Sequence, residues 1–237
     1  DITLGVAWLD VEQRLVKLAH HGGYGVAENM PYYFFNLLEE IDRPGEWYLD
    51  RRSGILYLYP PSDPARAKIE MSMLAEPMVN MQGVSHVAIE GLAFELGRFH
   101  GVTMQDCSDC LVAGCAIRKM GGDGVIVSGG RRVGVLSCDI HTMARGGTRI
   151  AGGDLRTLEP GGHYVENCHI YDFSRLDRTY TPAVHMDGCG NRIAHNRFHG
   201  SPCHAMRVEG NDHIIEFNEI FDVLQETDDQ GGLDMWY

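Results

Sequence analysis

The sequence is short of lysine, lacks any long apolar run, and has too odd a cysteine count for full disulfide pairing. Each shortage removes a class of protein. Only Lys17, Lys68 and Lys119 are lysine among 20 basic residues, which face 33 acidic ones for a formal net charge of −13. So acidic a chain has no broad basic surface to track a phosphate backbone, which excludes a general nucleic-acid partner. No stretch approaches the roughly 18 to 20 apolar residues of a membrane helix, and the first residues lack a signal peptide's charged, apolar and small-residue layout. Neither a span nor a membrane anchor is expected. Seven cysteines leave one over in any pairing scheme, and 237 residues at 44% hydrophobic can bury a core without staples. What is abundant is glycine, 29 residues, which implies many turns joining short elements. The sequence opens at Asp1 and stops at Tyr237 within a strand pattern, so it is expected to be part of a longer chain.

An internal repeat organises most of the sequence. From Val84 onward an apolar-x-x-x-small-x-apolar pattern recurs in Val87-Ala-Ile-Glu-Gly-Leu-Ala-Phe94, Leu111–Ile117, Val133–Ile140, Tyr164–Ile170, Ile193–Phe198 and Ile214–Ile220. The closing apolar residues are spaced 23, 23, 30, 28 and 22 apart. Each copy carries a second short strand: 101–105, 124–128, 147–151, 183–187, 205–209 and 232–236. Copies of 22 to 30 residues built from short strands are the mark of an all-β solenoid, a parallel β-helix of about six coils.

Register supports this reading, because equivalent residues on successive coils stack roughly 4.8 Å apart. Two residues before each closing apolar position stand Leu92, Cys115, Cys138, Cys168, Asn196 and Asn218, which reads as one inward ladder. Its cysteines are structural, and its asparagine amides are expected to bond along the axis. Cys107 and Cys110 form a lone CxxC with no second pair, so no metal site is assigned there. The glycines flanking the second strands are expected where each coil turns sharply.

Residues 1–82 differ from the coils and are expected to form a β-rich lead-in. Within it Gly45–Asp50, the turn Arg51–Gly54 and Ile55–Pro60 read as a hairpin, about 46–60, and Asn36–Glu40 as a short helical turn. Residues 83–237 would be the coils.

The run from Pro31-Tyr-Tyr-Phe-Phe-Asn through Gly45-Glu-Trp-Tyr-Leu-Asp50 to Tyr59-Pro-Pro61 resembles the segment that leads into the coils of bacterial right-handed parallel β-helix proteins acting on polysaccharides. Gly210-Asn-Asp-His-Ile-Ile-Glu-Phe-Asn-Glu-Ile220, followed by Glu226-Thr-Asp-Asp-Gln-Gly231, extends the likeness to the end of the chain. The nearest kind are glycoside hydrolases of the fucosidase and xylosidase type, with polysaccharide lyases nearby. The resemblance implies a polysaccharide or oligosaccharide substrate and a secreted or periplasmic location. The Asp-x-Gly part of the late motif lies at the active site in such hydrolases, which points to Asp228 and Asp229.

The residues themselves point to the same end of the solenoid. Alternation turns Val102/Met104, Val125/Val127, Val184/Met186, Met206/Val208 and Leu233/Met235 inward. One outward column then reads Thr103, Ile126, Arg149, His185, Arg207, Asp234, and the other Gln105, Ser128, Ala151, Asp187, Glu209, Trp236. Long connections at 171–182 and 221–231 fall at one corner and are expected to wall coil five and its His204, roughly 9.6 Å apart. Glycoside hydrolysis needs two carboxyl groups across the sugar, and Asp187, Glu209, Asp228 and Asp229 are the catalytic candidates. Crowding of like charges is expected to raise some of their pKa values. His185, Arg207, Arg149, His204, Glu226, Asp234 and Trp236 are the substrate-binding candidates, with Tyr180 as a further stacking side chain. A lyase or epimerase acting on a uronate glycan would instead use His185, Tyr180, Arg207 or Lys119 around the acidic proton. A non-catalytic glycan-binding solenoid is the third reading. No cofactor is expected; the acidic cluster offers oxygen ligands that could hold Ca²⁺, but Asp228-Asp229 lacks the spaced ligands of a recognisable Ca²⁺ loop.

Overall fold

A computed structural model describes residues 3–23, 25–29 and 32–236. Pro31 and Tyr237, which begin the quoted lead-in run and end the chain, lie outside the described residues. The chain divides into two units, 1–70 and 71–237. Among the described residues no helix is long and apolar enough to cross a membrane.

The first unit holds two antiparallel hairpins, Val6–Asp10 with Leu15–Leu18 and Trp47–Asp50 with Ile55–Leu58. The second matches the expected 46–60 hairpin, and the short helical turn is a 3₁₀ turn at Leu38–Glu40. No described residue of 3–70 is buried, so main-chain ladders and turns hold these hairpins rather than a core of their own.

The second unit is a solenoid of three parallel sheets. The first contains Val79–Gln82, Val102–Gln105, Val125–Ser128, Thr148–Asp154, Val184–Gly188, Met206–Glu209 and Leu233–Trp236, in that spatial order. The second stacks six three-residue strands from Ala88–Glu90 to Ile214–Glu216, and the third six from Ala93–Glu95 to Glu219–Phe221. Val79–Gln82 pairs in register with Val102–Gln105, so the first coil begins before residue 83, with Met78 and Met81 packed on the core.

The recurring seven-residue pattern is two strands rather than one. Between them stands a left-handed residue in every coil: Gly91, Gly114, Ser137, Asn167, His195 and Phe217. The bend at this position swings the chain between sheets, and the ladder residue follows it directly. Cys115, Cys138, Cys168 and Asn196 are buried there, whereas Leu92 is 53% exposed on the first coil and does not belong to the buried ladder.

The amide part of the ladder bonds along the axis. Asn196 Oδ1 accepts from Cys168 N at 2.8 Å, and Asn196 Nδ2 donates to Val165 O at 2.8 Å and to Asn218 Oδ1 at 3.0 Å. Cys168 Sγ stands 3.5 Å from Val135 O, filling with a thiol the place that Asn196 Nδ2 fills one coil on. A second polar ladder lies at the corner between the first and second sheets. Val133 N donates to His163 Nδ1 (3.1 Å), His163 N to Asn191 Oδ1 (3.0 Å) and Asn191 N to His213 Nδ1 (3.1 Å). Cys107 and Cys110 are buried with their thiols on the main-chain oxygens of Gln105 and Ser108, both at 3.4 Å.

The expected inward pairs are buried from Val102/Met104 through Met206/Val208, but Leu233 and Met235 are 40% and 67% exposed. Among the described residues their strand is paired on one side only, with Met206–Glu209, and no neighbouring coil covers it on the other. The glycines that follow the strands turn as expected, Gly129, Gly130, Gly153, Gly188 and Gly210 all having positive φ, but those before them do not. Gly101, Gly124 and Gly147 precede their strands with ordinary φ; a Cβ on Gly124 would lie 2.6 Å from Gly147 O, and one on Gly147 2.4 Å from Ile170 Cγ2. Close approach of coils, not a sharp turn, demands glycine there.

Burial of His163 pushes its imidazole down to about 4, with the Gly129 main chain partly offsetting the shift. A depressed histidine makes the unfolded chain take up protons first, so stability is full above pH 6.5 and falls as pH drops toward 4. At about 1.4 kcal/mol per pH unit the loss reaches about 3 kcal/mol. Urea unfolding across this window should show that slope reduced by about one proton in His163→Asn. An unchanged slope would refute the assignment.

Candidate functional site

The outer face of the first sheet carries the expected columns. Strand register places Thr103, Ile126, Arg149, His185, Arg207 and Asp234 side by side on successive coils. Gln105, Ser128, Ala151 and Asp187 form the second column, and Glu209 pairs with Trp236 at its far end. Parallel stacking thus gathers Arg149, His185, Asp187, Arg207 and Glu209, spread over 61 positions of sequence, onto three neighbouring coils.

Arg207 is the hub of this face. Its Nε donates to Glu209 Oε1 at 2.6 Å, and its guanidinium lies over the Trp236 ring at 5.1 Å and the Tyr180 ring at 5.6 Å. Trp236 Nε1 in turn donates to Asp234 Oδ2 at 2.9 Å. Burial pushes the Glu209 carboxyl up, but the Arg207 hydrogen bond and the Arg207 and His185 charges outweigh it and hold the group below the usual carboxylate range. The expected rise from like-charge crowding is therefore reversed at Glu209, because a cation on the adjacent column stands nearer than any second carboxylate.

His185 lies between Arg149 and Arg207 in its column. Burial, followed by the Arg149 charge, pushes its imidazole below the ordinary value despite the opposing pull of Glu209. Its Nε2 stands at ion-pair distance, 3.4 Å, from Glu209 Oε1 and is buried without a hydrogen bond. Arg149 is exposed and makes no ion pair among the described residues. Asp187 is half-buried, its Oδ1 accepting from Gly188 N at 2.6 Å.

The expected open cleft between the long connections 171–182 and 221–231 is closed. An Arg178–Glu226 ion pair joins the two long connections across coil five. Thr227 Oγ1 donates to Pro202 O at 3.1 Å, and Gln230 Oε1 meets His204 Nδ1 at 2.7 Å. The walls therefore meet instead of standing apart. His204 is fully buried beneath them, edge-on to Tyr180 at 6.3 Å, and does not face a substrate. Glu226 is taken up by Arg178. Asp228 and Asp229 are exposed on the same connection, with no hydrogen bond or ion pair among the described residues.

A family profile described as a right handed beta helix region matches residues 78–180. The fold is a right-handed parallel β-helix. Among solved structures the chain aligns with the Azotobacter vinelandii mannuronan C-5 epimerase AlgE4 A-module at 13% identity, with a TM-score of 0.40, over 67% of this chain. It spans 56% of that module's length. No curated protein matches the chain.

One part of this β-helix face was not anticipated. Thr148–Asp154 runs past the end of its neighbours and returns through Glu159–Pro160 as an antiparallel hairpin. An open groove of about 570 Å³ lies against it, lined by Ala151, Gly152, Gly153, Asp154, Arg156 and Asp187 among others. Residue 152 must be glycine there, since a Cβ on it would stand 2.2 Å from His163 Nε2. The signal was present in the 30-residue spacing from Ile140 to Ile170 and in the glycine pairs 152–153 and 161–162 that bracket the insertion.

Proposed function

We propose that this β-helix acts on an acidic polysaccharide, removing the proton beside a uronate carboxylate as a lyase or epimerase does. The observation that carries the reading is His185, a neutral imidazole flanked on its column by two arginines and left without a hydrogen-bond partner at Nε2. Proton abstraction next to a carboxylate needs a base that is deprotonated near neutral pH and cations to stabilise the charge that develops on the carboxylate. Arg149 is the free cation for that carboxylate. Arg207 joins it when the substrate carboxylate displaces Glu209, which uncovers Nε2. The groove beside Asp187 gives the glycan chain a path along the face, and the local arginines offset the acidic surface within a Debye length of about 8 to 10 Å.

Hydrolysis is the second reading, favoured by the two carboxylates, Asp187 and Glu209, on neighbouring coils of this face. It needs a carboxylic acid that stays protonated, and Glu209 is held ionised. Incubation with a panel of polyuronates in heavy water separates the two. Deuterium at C-5 or an unsaturated product supports proton abstraction, and new reducing ends with neither would replace it with hydrolysis. Because the His185 imidazole is depressed, the base stays active below pH 6.5, and kcat/KM is lost only as pH falls through that lowered value. An acid limb lying above 6.5 would exclude His185 as the base.

A further inference from the structure

The third sheet carries an unassigned cluster on its outer face, on the opposite side of the bend from the groove-bearing strands. Register aligns Arg118, His141, Tyr171, His199 and Phe221 in one column and Asp139, His169, Arg197 and Glu219 in the other. Tyr171 stacks on His199 with ring centroids 5.2 Å apart and planes within 5°, and on His169 at 4.3 Å, so both imidazoles are held in fixed orientations. Their Nε2 atoms meet at 2.8 Å in a hydrogen bond, one ring donating to the other. On the far side of His169, Asp139 Oδ1 lies 3.5 Å from Nδ1. Both rings are half-exposed, so solvent and solutes reach them.

We propose that His169 and His199 form a two-histidine site for a divalent transition-metal ion of the copper or nickel type, with solvent completing the coordination. Asp139 beside Nδ1 favours the tautomer that carries its proton there and leaves Nε2 as the ligand atom. Placed there, at ion-pair distance, Asp139 stands on the side of the ring from which a carboxylate orients and strengthens metal-binding imidazoles. The spacing selects the ion. Two nitrogens each about 2.0 Å from a metal stand about 2.8 Å apart at a right angle and about 3.3 Å apart at the tetrahedral angle. The 2.8 Å that the hydrogen bond sets between the rings lies nearer the right-angle spacing of tetragonal Cu²⁺ or Ni²⁺ than the tetrahedral spacing of Zn²⁺, and the metal would take the place of the shared proton. Among the described residues no group of three or more His, Cys, Asp or Glu converges as a metal site, so the protein supplies two ligands and affinity is modest. This site is separate from the face proposed to act on polysaccharide, and its test needs no substrate.

The metal-free full chain should bind one Cu²⁺ in calorimetry, with electron paramagnetic resonance reporting two coordinated imidazole nitrogens. His169→Gln and His199→Gln should each weaken binding at least tenfold and reduce the signal to one nitrogen. Asp139→Asn should weaken it by about 10- to 100-fold while keeping two nitrogens. His195→Gln, on the same solenoid but stacked against Phe217, should leave binding unchanged. Binding that survives in the His169→Gln/His199→Gln double variant, or a wild-type spectrum with one nitrogen or none, overturns the site. Circular dichroism of each variant separates a lost ligand from a lost fold.

Discussion

His185→Gln is expected to lower turnover on a polyuronate by about 10²- to 10⁴-fold, the usual contribution of a positioned general base. The substitution keeps side-chain volume and an amide that can hydrogen-bond, but it removes the lone pair that accepts the proton. Its cost to folding should be small. Nε2 makes no hydrogen bond to lose and glutamine occupies similar space, so the cost should not exceed the ordinary single-substitution value of about 1 kcal/mol. The measurement is kcat together with C-5 proton exchange, alongside a thermal melt. Both rates should fall together, while KM moves little because Arg149 and Arg207 still hold the carboxylate. A His185→Gln protein with wild-type exchange would remove the imidazole from the chemistry and return attention to Asp187, Asp228 and Asp229.

Asn196→Leu is expected to cost about 2 to 5 kcal/mol of stability, because two buried main-chain groups lose their partners at about 1 to 3 kcal/mol each. Cys168 N loses the acceptor at 2.8 Å and Val165 O the amide donor at 2.8 Å. Leucine adds volume without restoring either. For a chain of this size each kcal/mol is worth about 2 to 4 °C, so the melting temperature should drop by roughly 5 to 15 °C. Asn196→Cys should fall much less, since the equivalent Cys168 already accepts from Cys138 N at 3.4 Å and donates to Val135 O at 3.5 Å. If the leucine and cysteine variants melt together, the ladder contributes by packing alone.

Much of this architecture was legible because a parallel stack repeats one local solution. The closing apolar residues Ile117, Ile140, Ile170 and Phe198 lie in register and are fully buried. The Cys115–Cys138–Cys168–Asn196 ladder is buried at the position that counting assigned it. Alternation likewise fixed which side of Val184–Gly188 faces out, and so placed Arg149, His185 and Arg207 in one column. The bend splitting each motif was harder to see, since Ser137, Asn167, His195 and Phe217 adopt left-handed φ where only Gly91 and Gly114 announce it.

The sequence by itself determined the coil length, the inward and outward sets and the columns, because period-two alternation and in-register stacking are local rules repeated six times. Only the tertiary structure decided what each outward residue touches. Arg207 took Glu209 as its partner, Arg178 and Glu226 closed the corner over His204, and His169 met His199 across a diagonal. Each of these depends on side-chain reach and loop path between coils, where neighbours come from 2 to 48 positions away and no periodicity names them in advance.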